Sequence, residues 1–213
     1  MRLITLAALS LTTTALLTGC STTGYQQADK TGAGIAEFRT DITKAKTAVD
    51  ETVNALGQVA VTANTDPRPA FQNYTKSLSN LESASAAVKK QAENVKAEGQ
   101  AYFANWEKQL AELKNPEIKQ LAVEQRAKLQ AAFDNIKKVA APLKAQFDPW
   151  LSDLQDLKTY LSNDLSISGV DAARSLIAKT QNEGMEVQKS MDALVAELNT
   201  VAATLTPADV KSK

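Results

Sequence analysis

In four successive stretches of this chain, apolar residues recur at alternating steps of three and four, and no other feature restricts the fold as tightly. The first stretch shows the pattern plainly: Ile35, Phe38, Ile42, Ala45, Val49, Thr52, Leu56, Val59 and Ala63, with Thr52 the one polar member. Steps averaging about 3.5 residues place every member along one edge of an α-helix, and that edge must be buried against other helices. No segment alternates with a period of two, so no sheet is expected. Only 8 glycines and 6 prolines in 213 residues agree with long helices.

The breaks between the stretches are turn signals. The first helix is expected from about Asp29 to Ala63 and ends at "NTDPRPA", where two prolines push the residues before them out of the helical region. A second seam runs from Phe71 and Tyr74 through Val88, Val95, Gly99, Tyr102 and Trp106 to Leu113, predicting a helix from about Pro69 to Lys114. "KNPEI" then offers Asn115 as a cap and Pro116 as the first residue of a third helix. Its seam includes Ile118, Ala122, Gln125, Leu129, Ile136, Leu143, Trp150 and Leu161, and survives Pro142 and Pro149. A single shaft over Pro116–Asn163 is expected, kinked near Pro142, with Asp148 placed to restart the helix if it breaks at Pro149. Ser168, with Asp171 three residues on, marks the start of the fourth helix, whose seam runs from Val170 to Leu205 through Gly184.

Four long helices joined by short turns predict an all-α fold, an elongated antiparallel four-helix bundle with coiled-coil-like packing, roughly 60 Å long. Both ends of the chain then fall at one end of the rod. The bundle domain is expected over residues 31–206, with 207–213 a frayed tail. The alternative is an open hairpin that completes its core by pairing with a second copy.

Residues 1–19 read as a signal peptide. Met1 and Arg2 give a positive start, Leu3 to Leu17 is an uncharged apolar run, and Thr18 and Gly19 are small. The run is shorter than the ~20 residues of a spanning helix. "LTGC", Leu17 to Cys20, resembles the bacterial lipobox. That resemblance implies cleavage before Cys20 and a lipid on its sulfur, anchoring the protein to a membrane, with 20–30 as a polar lipidated tether. In bacterial lipoproteins, aspartate after the cysteine retains the protein in the inner membrane. Ser21 stands there instead, which implies the outer membrane, facing the periplasm.

The chemistry is sparse. There is no histidine, and Cys20 is the lone cysteine. No nucleophile elbow, phosphate loop or metal-ligand spacing occurs, so no catalytic residue, metal site or cofactor is expected. With 24 basic and 24 acidic residues the net charge is zero, so nucleic acid is not an expected partner. Glu124 with Lys128 and Asp134 with Lys138 have the spacing of solvated helix pairs. Tyr102, Phe103 and Trp106 in "AYFANWEKQL" form the densest aromatic group; they are core anchors or, alternatively, a ligand or partner contact. Gly99 and Gly184 sit on seam positions, where each is expected to make room for a neighbouring helix or bulky side chain (an aromatic ring at Gly99 if the helices pair in register) or, alternatively, to mark a small cavity or hinge.

"AYFANWEKQL", "NPEIKQLAVEQR" and "FDPWLSDLQDLKTYLSNDLSISGV" resemble a family of bacterial helical lipoproteins of unknown function. The resemblance implies a helical envelope protein and carries over no site residues. The expected role is a non-catalytic scaffold whose partner is another envelope protein or cell-wall material, as a monomer or homo-oligomer. The alternative is a carrier that holds an apolar ligand or lipid between its helices.

Overall fold

Each seam becomes one helix. The computed structural model describes residues 23–205 as α1 (Gly24–Val61), α2 (Arg68–Glu112), α3 (Pro116–Asn163) and α4 (Ile167–Leu205), with no strand among the described residues. Cys20, the leader before it and the tail 206–213 lie outside the described residues.

Side-chain contacts fix the directions. Lys46 of α1 pairs with Asp192 of α4, and Arg39, seven residues earlier, with Asn199, seven residues later, so the two run antiparallel. Gln27 meets Asn105 and Gly34 meets Gln91 between α1 and α2. Lys89 meets Asp148 and Phe103 meets Phe133 between α2 and α3. Trp150 meets Thr180 and Gln146 meets Ser190 between α3 and α4. The helices therefore go up, down, up and down, and α4 closes the ring against α1. Diagonal helices do not approach one another, and the seam between α2 and α3 is the loosest of the four.

One continuous core follows, from Ile35 and Leu56 on α1 and Leu78 and Leu81 on α2 to Leu154 and Leu161 on α3 and Leu194 and Leu198 on α4. α3 runs unbroken through Pro142 and Pro149. The single expected shaft is thus present, with no break at Pro149 for Asp148 to restart; its carboxylate accepts from Lys144 and Lys89. Each proline removes one N–H from the helical ladder, and burial of Leu143, Phe147 and Trp150 around them holds the shaft together.

Two boundaries, two polar pairings and two seam residues differ from expectation. α1 begins at Gly24, inside the segment read as a tether. Thr23 Oγ1 accepts from the Gln26 N–H at 3.3 Å, while Gln26 Oε1 accepts from the Thr23 N–H at 3.0 Å, a capping box that starts the helix early. α4 starts at Ile167, and its cap is Ser166, whose hydroxyl oxygen accepts from the Gly169 N–H at 3.1 Å, so Ser168 already lies in the first turn. Asp134 pairs with Lys137 rather than Lys138, and Glu124 accepts from Gln120 rather than pairing with Lys128. Ile118 and Gln125, expected in the buried seam, are exposed. Counting along antiparallel helices from Gln146 and Ser190, Leu205 comes level with about Ala131, and no described part of α4 reaches the first turns of α3.

Tyr74 ties α2 to α3. Its ring is fully buried and its hydroxyl donates to the Leu154 carbonyl at 2.5 Å. Burial pushes its phenol far above the usual range. The unfolded chain would release that proton near pH 10 while the folded chain keeps it, so this residue's contribution to stability is full below that pH and falls as pH rises above it, by about 1.4 kcal/mol per pH unit. Tyr74→Phe is expected to cost about 1 kcal/mol at neutral pH and to flatten the alkaline decline, read from urea melts between neutral pH and pH 11. An unchanged alkaline slope would contradict this.

Candidate functional site

The aromatic group gathers where α1, α2 and α3 meet near the start of α1. Tyr102 and Phe103 are buried and Trp106 is half-buried against the core. The Tyr102 ring centroid lies 5.5 Å from that of Phe103 and 5.5 Å from that of Trp106, both edge-on. Phe103 meets Phe133 of α3 edge-to-face at 5.3 Å. The preference of aromatic quadrupoles for edge contacts makes this a packed cluster. Gly99 allows it: a Cβ there would fall 2.8 Å from Phe133 Cε1, too close for any other residue unless the ring moved.

Polar groups close this cluster on the α3 side. The Arg126 guanidinium carbon stands 5.6 Å from the Phe103 centroid, a cation–π distance, and Arg126 pairs with Glu107 at 3.2 Å. On the α1 side, Trp106, Tyr102 and Gln109 line a cavity of about 290 Å³ with Gly24, Tyr25 and Ala28. Burial raises the Tyr102 phenol above its usual range. The three aromatics are thus brought together, with Trp106 at an open mouth and the other two inside.

A second feature was not anticipated from the sequence. The loose α2–α3 seam opens into an apolar cleft of about 170 Å³, whose walls include Val88 and Ala92 of α2 and Leu143 and Phe147 of α3. Phe38 of α1 and Leu194 of α4 form its floor, so it reaches the centre of the bundle. Lys89 and Lys144 stand at its lips and share one carboxylate, Asp148, at 3.2 and 2.6 Å. The hydrogen bond from Lys144, then that from Lys89, holds the Asp148 carboxyl below the usual range. Two turns further along, Lys96 and Lys137 line a cavity of about 310 Å³ with Gly99, Phe133, Gln100 and Gln130. These two lysines share no anion; Lys96 pairs with Glu93 and Lys137 with Asp134, each on its own helix.

A signal for this arrangement does exist in the sequence. Lys89, Lys96, Lys137 and Lys144 each directly follow a seam residue, namely Val88, Val95, Ile136 and Leu143. They occupy one flanking position of the repeat, a heptad apart on each helix. Flanking residues on adjacent helices of a coiled coil usually carry opposite charges. Here they carry the same charge, and the seam between them is the loosest in the bundle.

Among the described residues no group of three metal-ligating side chains occurs, and no helix is long and apolar enough to cross a membrane. Residues 19–205 match a family described as a protein of unknown function (DUF2959). No curated protein matches the chain, and no solved structure does.

Proposed function

We propose, for a chain that belongs to the DUF2959 family of proteins of unknown function, the role of a lipid-anchored, non-catalytic envelope scaffold. In this reading Cys20 carries the lipid. The rod then stands in the periplasm on the outer membrane and offers its sides to another envelope protein or to cell-wall material.

The supporting observation is the composition of one end of the rod. α1 starts four residues after Cys20, which allows a span of at most about 14 Å. At that same end, beside the α2–α3 turn, Ile118, Leu121 and Val123 are 52, 61 and 48% exposed, and Tyr25 on α1 is 65% exposed. Three large apolar side chains within six residues suit a surface held against lipid headgroups, and tyrosine is favoured at such a boundary. The family match begins at residue 19, just before Cys20, and leaves out the apolar leader.

Metabolic labelling with radioactive palmitate tests the anchor. The wild-type chain is expected to take up label and to fractionate with the outer membrane, and Cys20→Ala to take up none. An unlabelled wild-type protein would remove the anchor from the proposal. Photocrosslinking in cells from exposed positions on the rod tests the scaffold role: one reproducible partner is expected, and recovery of abundant bystanders alone would overturn it.

A second reading, a carrier for an apolar ligand, is favoured by one observation. The α2–α3 cleft passes between Val88 and Leu143 as far as Phe38 and Leu194, so the core is not closed along that side.

A further inference from the structure

We propose that the α2–α3 seam binds a fatty acid, with its carboxylate between Lys96 and Lys137 and its acyl chain lying along the seam into the cleft beneath Val88 and Phe147. The proposal rests on the carrier reading and adds the ligand class, the orientation and the residues.

Both parts of such a ligand have a counterpart. The cleft lining is almost entirely apolar below its lips, and it passes between two helices whose own contact is the slackest in the bundle. An apolar chain laid there would supply the wall that each helix lacks from the other. At the mouth, two pairs of lysines face one another, and like charges at facing positions repel. Asp148 relieves that repulsion at one level by accepting from Lys89 and Lys144 together. It also shows that a carboxylate fits between the facing lysines. Nothing does the same at the other level. Lys96 and Lys137 flank a cavity there whose other polar groups are the side-chain amides of Gln100 and Gln130, and the Gln130 amide also donates to Asp134 at 3.4 Å.

Orientation follows from that difference. The free carboxylate goes to the level without a shared anion, and the tail points toward the level that Asp148 already closes. Ala92 and Ala140, one turn from Lys96 and Lys137 respectively, are the small residues that line the cleft on that side. The two lysine levels lie one heptad apart, about 10 Å along the rod, so a chain of medium length runs from one to the other.

The test uses the Cys20→Ala chain purified without detergent, titrated calorimetrically with dodecanoate below its micelle concentration. One dodecanoate per chain is expected. Dodecanol and acetate, which lack the charge and the tail, are each expected to bind at least about tenfold more weakly. Lys96→Gln with Lys137→Gln is expected to weaken dodecanoate by about tenfold while leaving dodecanol unchanged. Ala92→Phe should block both, and circular dichroism checks that this variant still folds. Equal binding of dodecanol and dodecanoate would overturn the charged-head assignment and leave the carrier reading standing. Binding of neither would overturn both. A dimer in sedimentation that Ala92→Phe dissociates would assign the groove to a second copy and also overturn the proposal.

Discussion

Trp150→Ala is expected to destabilise the protein by about 3–5 kcal/mol, seen as a lower urea midpoint with little change in slope, and to lower Tm by about 10 °C. Trp150 is among the largest fully enclosed side chains. Its indole N–H donates to the Thr180 carbonyl at 2.8 Å, its ring lies 5.7 Å from that of Phe147, and it packs against Gly184. Truncation leaves a cavity where α3 meets α4, and neighbouring helices cannot collapse into it without shifting their own packed edges. The lost hydrogen bond adds little, because a helical carbonyl keeps its main-chain donor. Trp150→Phe should fall between the two. A loss below about 1 kcal/mol for the alanine variant would mean that this ring is not packed as described.

Gly184→Leu is expected to cost about 3 kcal/mol, against the roughly 1 kcal/mol that a helix gains when leucine replaces glycine. A Cβ at this position would lie 2.5 Å from Val53 Cγ2 and 3.0 Å from Trp150 Cζ2. α1, α3 and α4 all press on this point, so relief requires a helix to move. The decisive measurement is the double variant. Leucine at 184 can occupy space that the indole vacates, so Trp150→Ala with Gly184→Leu should be less damaging than the two separate losses added together, by about 1–3 kcal/mol. Strict additivity would show that the glycine and the indole do not share that space.

Together these two variants probe a closely packed part of the bundle, and the α2–α3 side is its opposite. There the facing lysines and small seam residues leave a cleft. A rod closed on three seams and slack on the fourth keeps its shape while offering one side for binding, which accommodates both a scaffold and a carrier.

Much of this was legible beforehand. The steps of three and four located all four helices, and α3 has the limits expected for it, Pro116 to Asn163. Gly99 does receive an aromatic ring, that of Phe133. The early start of α1 is a difference whose signal was present: Thr23 and Gln26 have capping-box spacing, but the segment carries no apolar stripe and so reads as a tether. The aromatic trio is legible as a group in the sequence, while its sorting into two buried rings and one half-buried ring depends on where α1 begins.

The sequence by itself determined that there would be helices, how long each would be and which edge each would turn inward, because helical period is a property of neighbouring residues. Only the tertiary structure decided which edges are covered, since coverage depends on a second helix reaching the same level. Ile118 sits on the correct edge and remains in solvent because no described part of α4 extends that far. Val88 and Leu143 likewise sit on correct edges, and a cleft stays open between them because α2 and α3 approach one another least closely of the neighbouring helices.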